Sequence, residues 1–280
     1  MTAPVLLATC AALPDGEPGG SLLTAALGAR DIESRWVVWD DPGVDWSDGL
    51  VSLRSTWDYD GRVGEFLAWT RSLPWVLNGA DVFAWNTDKA YLVELGELGV
   101  PVVPTISVDA PEHLGPALAA HERPLVKPRV GAGGRGVIVG AAESYGPGPW
   151  VVQPLVESIR DFGELSVYVL DGEPVTQARK LPAPGEVRVH EEYGGRTVAD
   201  RLADESADLA IRACRAAERL LGHRLDYARV DAMSFEGRLV VSELEVTEPG
   251  LYLDVLPGNA ELFASLLARR VEGEPSRRNT

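Results

Sequence analysis

Cysteine and histidine are scarce in this chain, and their scarcity removes whole classes of chemistry. Two cysteines, Cys10 and Cys214, and four histidines, His113, His121, His190 and His223, are spread over 280 residues. That is too few and too dispersed for a disulfide scaffold or a zinc knuckle. No Ser/His/Asp or Cys/His nucleophile arrangement is evident either. So few cysteines make a reducing, cytoplasmic setting the expectation. Positive charge is short as well: 26 Lys and Arg stand against 42 Asp and Glu, for a formal net charge of −16. Nucleic acid and anionic membrane repel such a chain, so neither is expected as a partner. No run approaches the roughly 18 apolar residues of a membrane span. The apolar start, residues 5–13, lacks a basic n-region, so export is not expected.

What remains is an ordinary globular composition, 45% hydrophobic and 24% charged, well able to bury a core. In the first third, apolar runs at 5–10, 36–39 and 50–54 read as strands, while residues 21–30 and the positions Val63, Phe66, Leu67 and Thr70 carry helical spacing. This is βαβ logic, giving a small parallel sheet with a crevice at the carboxyl ends of its strands. The segment Arg54, Ser55, Thr56, Trp57, Asp58, Tyr59 falls at such an end. Asn86-Thr-Asp-Lys89 then opens a helix expected to run to Leu98, with Gly99 as its C′ residue. There a cation in the first turn opposes the macrodipole, which a bound anion would reverse; a solvated lysine is the other reading. A helix at 112–120, a strand at 150–153, strands at 164–170 and 174–179, a loop over 182–200, a helix at 207–221, strands at 227–233 and 238–246 and a helix at 259–270 complete the reading.

Three segments carry chemistry. Lys127 ends an apolar strand, and Gly131, Gly133, Gly134 and Gly136 follow with Arg135 among them. The spacing of Gly131, Gly133 and Gly136 matches a dinucleotide fingerprint, but that motif must open a helix, and here it opens Val-Ile-Val, a strand former. A Walker A loop is excluded by the missing Gly-Lys-Ser/Thr. What is left is a glycine-rich hairpin: either a flap whose amides cover a polyphosphate while the lysine supplies charge, or a plain turn. Second, Gln153, Leu155 and Glu157 lie where an apolar strand ends at a junction of units, suited to a bound nucleotide or to a simple linker. Third, a hairpin centred near residue 236 puts Arg229 opposite Glu243 and Asp231 opposite Val241. Arg229, Asp231, Glu243 and Glu245 then share one face. Crowded carboxylates on apolar strands call for a cation, and an all-oxygen set suits magnesium or manganese; a solvated strand face is the alternative.

In this order, over about residues 86–256, these elements resemble the ATP-grasp superfamily. The closing Glu243-Leu-Glu245-Val-Thr-Glu248-Pro-Gly250 departs from the Glu-x-Asn of many relatives. It looks like the branch of D-cycloserine synthetase and related small amide ligases, which also carry a Ser-Thr-Trp-Asp-Tyr-like segment. The resemblance implies an α/β fold, α+β in its ATP-grasp part. An N-terminal parallel-sheet domain (1–104), a central lid subdomain (105–156) and a C-terminal antiparallel-sheet subdomain (157–272) would precede a flexible tail (273–280). It implies ATP and Mg2+ (or Mn2+) as cofactors. The reaction would be C–N ligation through an acylphosphate, joining a small amino-acid-like carboxylate and a nitrogen nucleophile, in one molecule or two, in antibiotic biosynthesis. A homodimer is compatible with it. Carried over residue by residue, nucleotide binding falls to Lys89, Lys127, Gly133, Gly134, Arg135, Gly136, Gln153, Leu155, Glu157 and Glu164. Metal binding falls to Asp231, Glu243 and Glu245, and catalysis to Arg229, Lys127 and Arg179. Substrate contacts fall to Arg54, Ser55, Thr56, Trp57, Asp58, Tyr59, Lys180 and Glu248. A kinase, or a non-catalytic ATP-binding protein, is the alternative function.

Overall fold

The computed structural model describes residues 2–273; all but the first residue of the expected tail lies outside the described residues. The chain begins as the sequence pattern demands. β1 (Val5–Thr9) is buried at every position, the mark of a central strand covered on both faces. It runs parallel to β2 (Ser34–Val38) on one side and β3 (Leu50–Ser55) on the other. Side-chain alternation divides its contacts. Leu6 and Ala8 join a core with Phe66 and Phe83, from α2 (Val63–Ser72) and α3 (Ala80–Asn86). Val5 and Leu7 pack with Leu23 and Leu27 of α1 (Gly20–Gly28) and, at the far end of the chain, with Phe263, Leu266 and Leu267. Packing therefore does not follow sequence order: the last helix returns to the first sheet.

α4 (Tyr91–Glu97) leads into a four-stranded antiparallel sheet of β4 (Ile106–Val108), β5 (Pro124–Pro128), β6 (Ile138–Val139) and β7 (Trp150–Pro154), in the order β4-β7-β5-β6. α5 (Leu114–Ala119) covers it through the small core of Val108, Ala117, Val126, Trp150 and Val152. The second large sheet takes the order β10-β9-β8-β11-β12. It is built from β8 (Glu164–Leu170), β9 (Glu173–Leu181), β10 (Arg196–Asp200), β11 (Tyr227–Phe235) and β12 (Arg238–Glu245). One face of that sheet is apolar: Leu165, Val167, Val230, Ala232 and Leu244 pack on Leu209, Ala213 and Ala217 of α6 (Asp204–Leu221) and on Leu92 and Leu95 of α4. α7 (Gly258–Glu272) closes the chain.

Three local expectations change. Asn86 does not open a helix but ends α3, and Lys89 lies in the connection before α4 rather than in a first turn. The dipole argument for Lys89 therefore lapses. Asn86 instead gives its amide to the strand beside it: Nδ2 donates to the Leu244 carbonyl at 2.7 Å and Oδ1 accepts from Val246 N at 3.0 Å. The loop expected over 182–200 contains a 3-10 turn at Glu191–Tyr193 and the edge strand β10.

The third change concerns register. Glu236 and Gly237, at φ 51° and 78°, form the two-residue turn of the β11–β12 hairpin. Phe235 then faces Arg238 and Ala232 faces Val241, but Asp231 faces Glu243 and Arg229 faces Glu245. Ser242 is the extra residue of a bulge. Were Ser242 paired in the turn's own register instead, Leu244 would face Arg229, and Glu243 and Glu245 would point into the α6 core while Asp231 kept its face. The expected pairs were displaced, yet the shared face survives because of that bulge.

Candidate active site

The polar face of the large sheet gathers β8, β9, β11 and β12. Arg229 Nε and Nη2 grip the two oxygens of Asp231 at 3.0 and 2.9 Å, and Nη1 reaches Glu245 at 3.0 Å. Lys180 lies 2.6 Å from Glu164 and 2.7 Å from Asp231. Ser166 donates to Asp231 at 2.7 Å, and the bulged Ser242 donates to Glu164 at 2.7 Å. Burial would raise the Asp231 carboxyl, but Arg229 and Lys180 hold it far below its ordinary value. Glu245 goes the other way: burial, reinforced by Glu243 and Asp231, pushes it up to about 7 despite Arg229. Crowding on this face is thus relieved largely by the protein's own cations, so carboxylate repulsion alone does not require a metal.

Across the cleft stand the phosphate-side candidates. Lys89 Nζ is 3.1 Å from Glu243 and donates to the Gly131 carbonyl at 2.7 Å, joining the acidic strand to the glycine loop. The Lys127 ammonium, on β5, makes no hydrogen bond or ion pair among the described residues. Burial, with Lys89 and Lys180 nearby, holds its ammonium below the ordinary lysine value against the pull of Glu243 and Glu164. Between β5–β7 and the β11–β12 hairpin lies a mainly apolar slot lined by Leu125, Leu155, Ile159 and Met233, with Lys127 and Gln153 as polar lining. Gln153 is oriented by its bond to Thr105 at 2.8 Å. The slot is narrow, about 30 Å³, so a flat base joined to phosphates would enter it only as its two walls part.

The glycine loop connects β5 to the short β6, and Gly133, Gly134 and Gly136 all adopt positive φ (59°, 72° and 71°). A Cβ at Gly136 would come within 2.7 Å of Pro128, so both conformation and space require glycine there. Arg135 points to the N-terminal unit, not along the cleft: it pairs with Asp60 and donates to the Trp57 carbonyl at 3.0 Å.

The segment after β3 is more structural than its sequence suggested. Arg54 is fully buried; its guanidinium lies over Phe263 at 4.5 Å and donates to the Pro249 carbonyl. Ser55 is hydrogen-bonded to Thr9 at 2.7 Å. Asp58 is held by Trp39 at 2.8 Å and Arg62 at 2.9 Å, and Tyr59 stacks on Phe66. Thr56 Oγ1 is buried without a partner, as is Glu248 Oε2. The Trp57 indole donates to the Glu248 carbonyl at 3.1 Å. Burial, then Glu245 and Glu243, keeps the Glu248 carboxyl well above its ordinary value.

Arg179 is the clear correction. It neighbours Lys180 on β9, so alternation sends it to the opposite face, where it pairs with Asp200 at 2.8 Å and donates to the Phe162 carbonyl at 2.7 Å. Glu157 is about half exposed and paired with Arg123 and Arg160. Sequence reasoning missed Ser166, Ser242 and Glu17. Glu17 is a buried acid that accepts from Leu251 N at 2.6 Å and lies 3.6 Å from Arg54. The signal for Glu17 was its place just beyond a parallel strand's carboxyl end; no comparable signal marked the two serines.

Among the described residues no three His, Cys, Asp or Glu side chains form a ready-made metal cage. Magnesium rarely uses one: it takes one or two carboxylates together with phosphate oxygens. The all-oxygen set Asp231, Glu243 and Glu245 fits a metal that arrives with a nucleotide.

Comparisons agree with this geometry. Residues 5–78 match the family model for the N-terminal domain of D-cycloserine synthetase DcsG. The cycloserine biosynthesis protein DcsG of Streptomyces lavendulae is 31% identical over 263 residues, spanning 84% of this chain and 87% of that protein. The crystal structure of D-cycloserine synthetase DcsG superposes with a TM-score of 0.84 at 29% identity, over 95% of this chain and 99% of the other. The ATP-grasp ligase PsnB, in a complex with Mg and ADP, shares the fold at 18% identity with a TM-score of 0.65, over 97% of this chain and 100% of its own. Fold, polar sheet face and sequence identity together make this chain a member of the ATP-grasp ligases, in the D-cycloserine synthetase family.

Proposed function

We propose that the chain is an ATP-dependent carboxylate–amine ligase acting on a small amino-acid-like substrate, with intramolecular cyclisation of the D-cycloserine synthetase type as the form of the reaction. One observation carries the reading. Lys89, Lys127, Lys180 and Arg229 converge on Glu243, Asp231 and Glu245 beside an apolar slot. A carboxylate oxygen of the substrate attacks the γ-phosphorus of ATP, the bond to the bridging oxygen breaks, and ADP leaves. A nitrogen of the substrate then attacks the acyl carbon, the carbon–oxygen bond to phosphate breaks, and the nitrogen loses a proton. Lys89 and Lys127 orient the polyphosphate, and Arg229 stabilises the transferred phosphoryl and the oxyanion that follows. Magnesium or manganese, held by Asp231, Glu243 and Glu245, would neutralise phosphate charge.

The Gly133–Gly136 amides cover the phosphates, Gln153 and Leu155 border the base, and Thr56, Trp57 and Glu248 face the amino-acid end. A reducing cytoplasm suits two cysteines that are both free and buried, and among the described residues no helix is long and apolar enough to cross a membrane. The test is an ADP-release screen with magnesium over amino acids and their ureido and hydroxamate derivatives. A carboxylate that raises ADP release and yields a new amide supports the reading. ATP turnover indifferent to every carboxylate would count against it.

A further inference from the structure

The glycine loop is tied down from a direction the phosphates do not explain. Arg135 stands between Gly134 and Gly136, and its guanidinium leaves the loop for the N-terminal unit. Nη2 lies 2.7 Å from Asp60 Oδ2, Nε donates to the same oxygen at 2.9 Å, and Nη2 also donates to the Trp57 carbonyl at 3.0 Å. Asp60 sits in the 3-10 turn Tyr59–Gly61, one residue past the candidate substrate segment. Trp57 carries the contact onward: its indole N–H donates to the Glu248 carbonyl, on the turn that follows the acidic strand. Loop, substrate segment and metal-side turn thus form one hydrogen-bonded chain.

We infer that Arg135 and Asp60 are a latch that positions the lid, with Arg135 a positioning residue and not a phosphate ligand; the nucleotide arm of this inference rests on the ligase reading. Few other hydrogen bonds hold the loop, whose Gly133 and Gly134 rest beside His190, Tyr193 and Arg188. β6 is two residues long and pairs only with Leu125 and Val126, and the Lys89 bond to the Gly131 carbonyl fixes only its near end. A partly exposed ion pair shifts an equilibrium by up to about fivefold, which is enough to set how often a weakly held loop is closed. Closing it through Trp57 makes lid position depend on the order of the substrate segment, so nucleotide and carboxylate sites are set together.

The experiment uses the full chain as wild type, Asp60→Asn, Arg135→Gln, the double variant and the reversed pair Asp60→Arg/Arg135→Asp. Hydrogen exchange over residues 131–137 is followed without ligand, and ADP affinity with magnesium is measured by calorimetry. Each single change should speed exchange about twofold to fivefold. Each should weaken ADP by a similar modest factor, the double variant should be no worse than either, and the reversed pair should return exchange to within about twofold of wild type. The latch is overturned if Asp60→Asn leaves exchange unchanged. It is also overturned if Arg135→Gln weakens ADP to the same extent whether or not Asp60 is present, as a phosphate ligand would. Failure of the wild type to bind ADP would count against the ligase reading, while exchange in the free protein still decides the latch.

Discussion

Lys127 and Glu243 show how differently two charges in one cleft are supported. Lys89 has Glu243, and Lys180 has Glu164 and Asp231, but Lys127 has no such partner among the described residues. Its folded-state pKa is depressed, first by burial, so its charged form opposes folding. Lys127→Met should therefore leave the melting temperature of the ligand-free protein unchanged or higher. ATP should bind more weakly by roughly tenfold to a hundredfold, the loss of one charge-assisted contact of about 1.5–3 kcal/mol; calorimetry and a thermal melt read the two effects. Glu243 is the reverse case. Burial would raise it, yet Lys89 and Lys127 draw it below its ordinary value, so its carboxylate supports the fold. Glu243→Gln should abolish turnover and also lower the ligand-free melting temperature. The sequence alone suggested relief of repulsion there, and a higher melting temperature would restore that view.

At the scale of elements, the bulge at Ser242 decides which face the acids occupy. Deleting Ser242 should remove the bulge and let the turn's own register carry on to the same pairs, Asp231 with Glu243 and Arg229 with Glu245, so the acids keep their face. The variant should keep magnesium-dependent ADP binding and melt lower only by the lost Ser242 bond to Glu164; calorimetry beside a melt would show it, and abolished binding would contradict the register argument. The β8–β9 turn docks α7 in a pH-dependent way. Asp171, at φ 53°, meets Arg269 and Arg270, and Arg270 also reaches Asp226 at 2.8 Å. Burial would raise Asp171, but the two arginines bring it below its ordinary value. Its contribution is therefore present above the unfolded carboxylate pKa and lost as the pH falls through the folded one. Asp171→Asn, which keeps a residue tolerant of positive φ, should cost up to about 1 kcal/mol at pH 7 for these partly exposed pairs. Melts compared at pH 7 and pH 3 should show that difference close.

The same elements mark what was legible in the sequence. Alternation on β11 and β12 disclosed the shared face of Arg229, Asp231, Glu243 and Glu245, because a two-residue period survives any even shift of register. The bulge was invisible, since Ser242 looks like any strand serine. Arg179 and Lys180 are adjacent, and only the pairing of Lys180 with Glu164 tells which of them faces the cleft. Asn86 read as a helix start because asparagine favours that position; its amide is instead spent on β12, a contact across more than 150 residues that no local pattern records.

The molecule as a whole brings together pieces far apart in sequence. α7 packs on β1, and α3 and α4 lie against the large sheet. Arg54 reaches from the first sheet to the turn after the acidic strand. The parallel sheet therefore presents the carboxyl end of β3 to the turn that follows the acidic strand, where Trp57 also donates to the Glu248 carbonyl. That arrangement makes one central claim, that a carboxylate is activated by phosphoryl transfer from ATP. The most direct test takes the substrate carboxylate found by the ADP screen, labels its oxygens with 18O, and analyses the phosphate released in a single turnover with magnesium, with hydroxylamine present in a parallel sample. The account predicts one labelled oxygen in the phosphate, ADP as the nucleotide product, and a hydroxamate in the trapped sample. AMP with pyrophosphate, or ADP with a stable phosphorylated product and unlabelled phosphate, would contradict it.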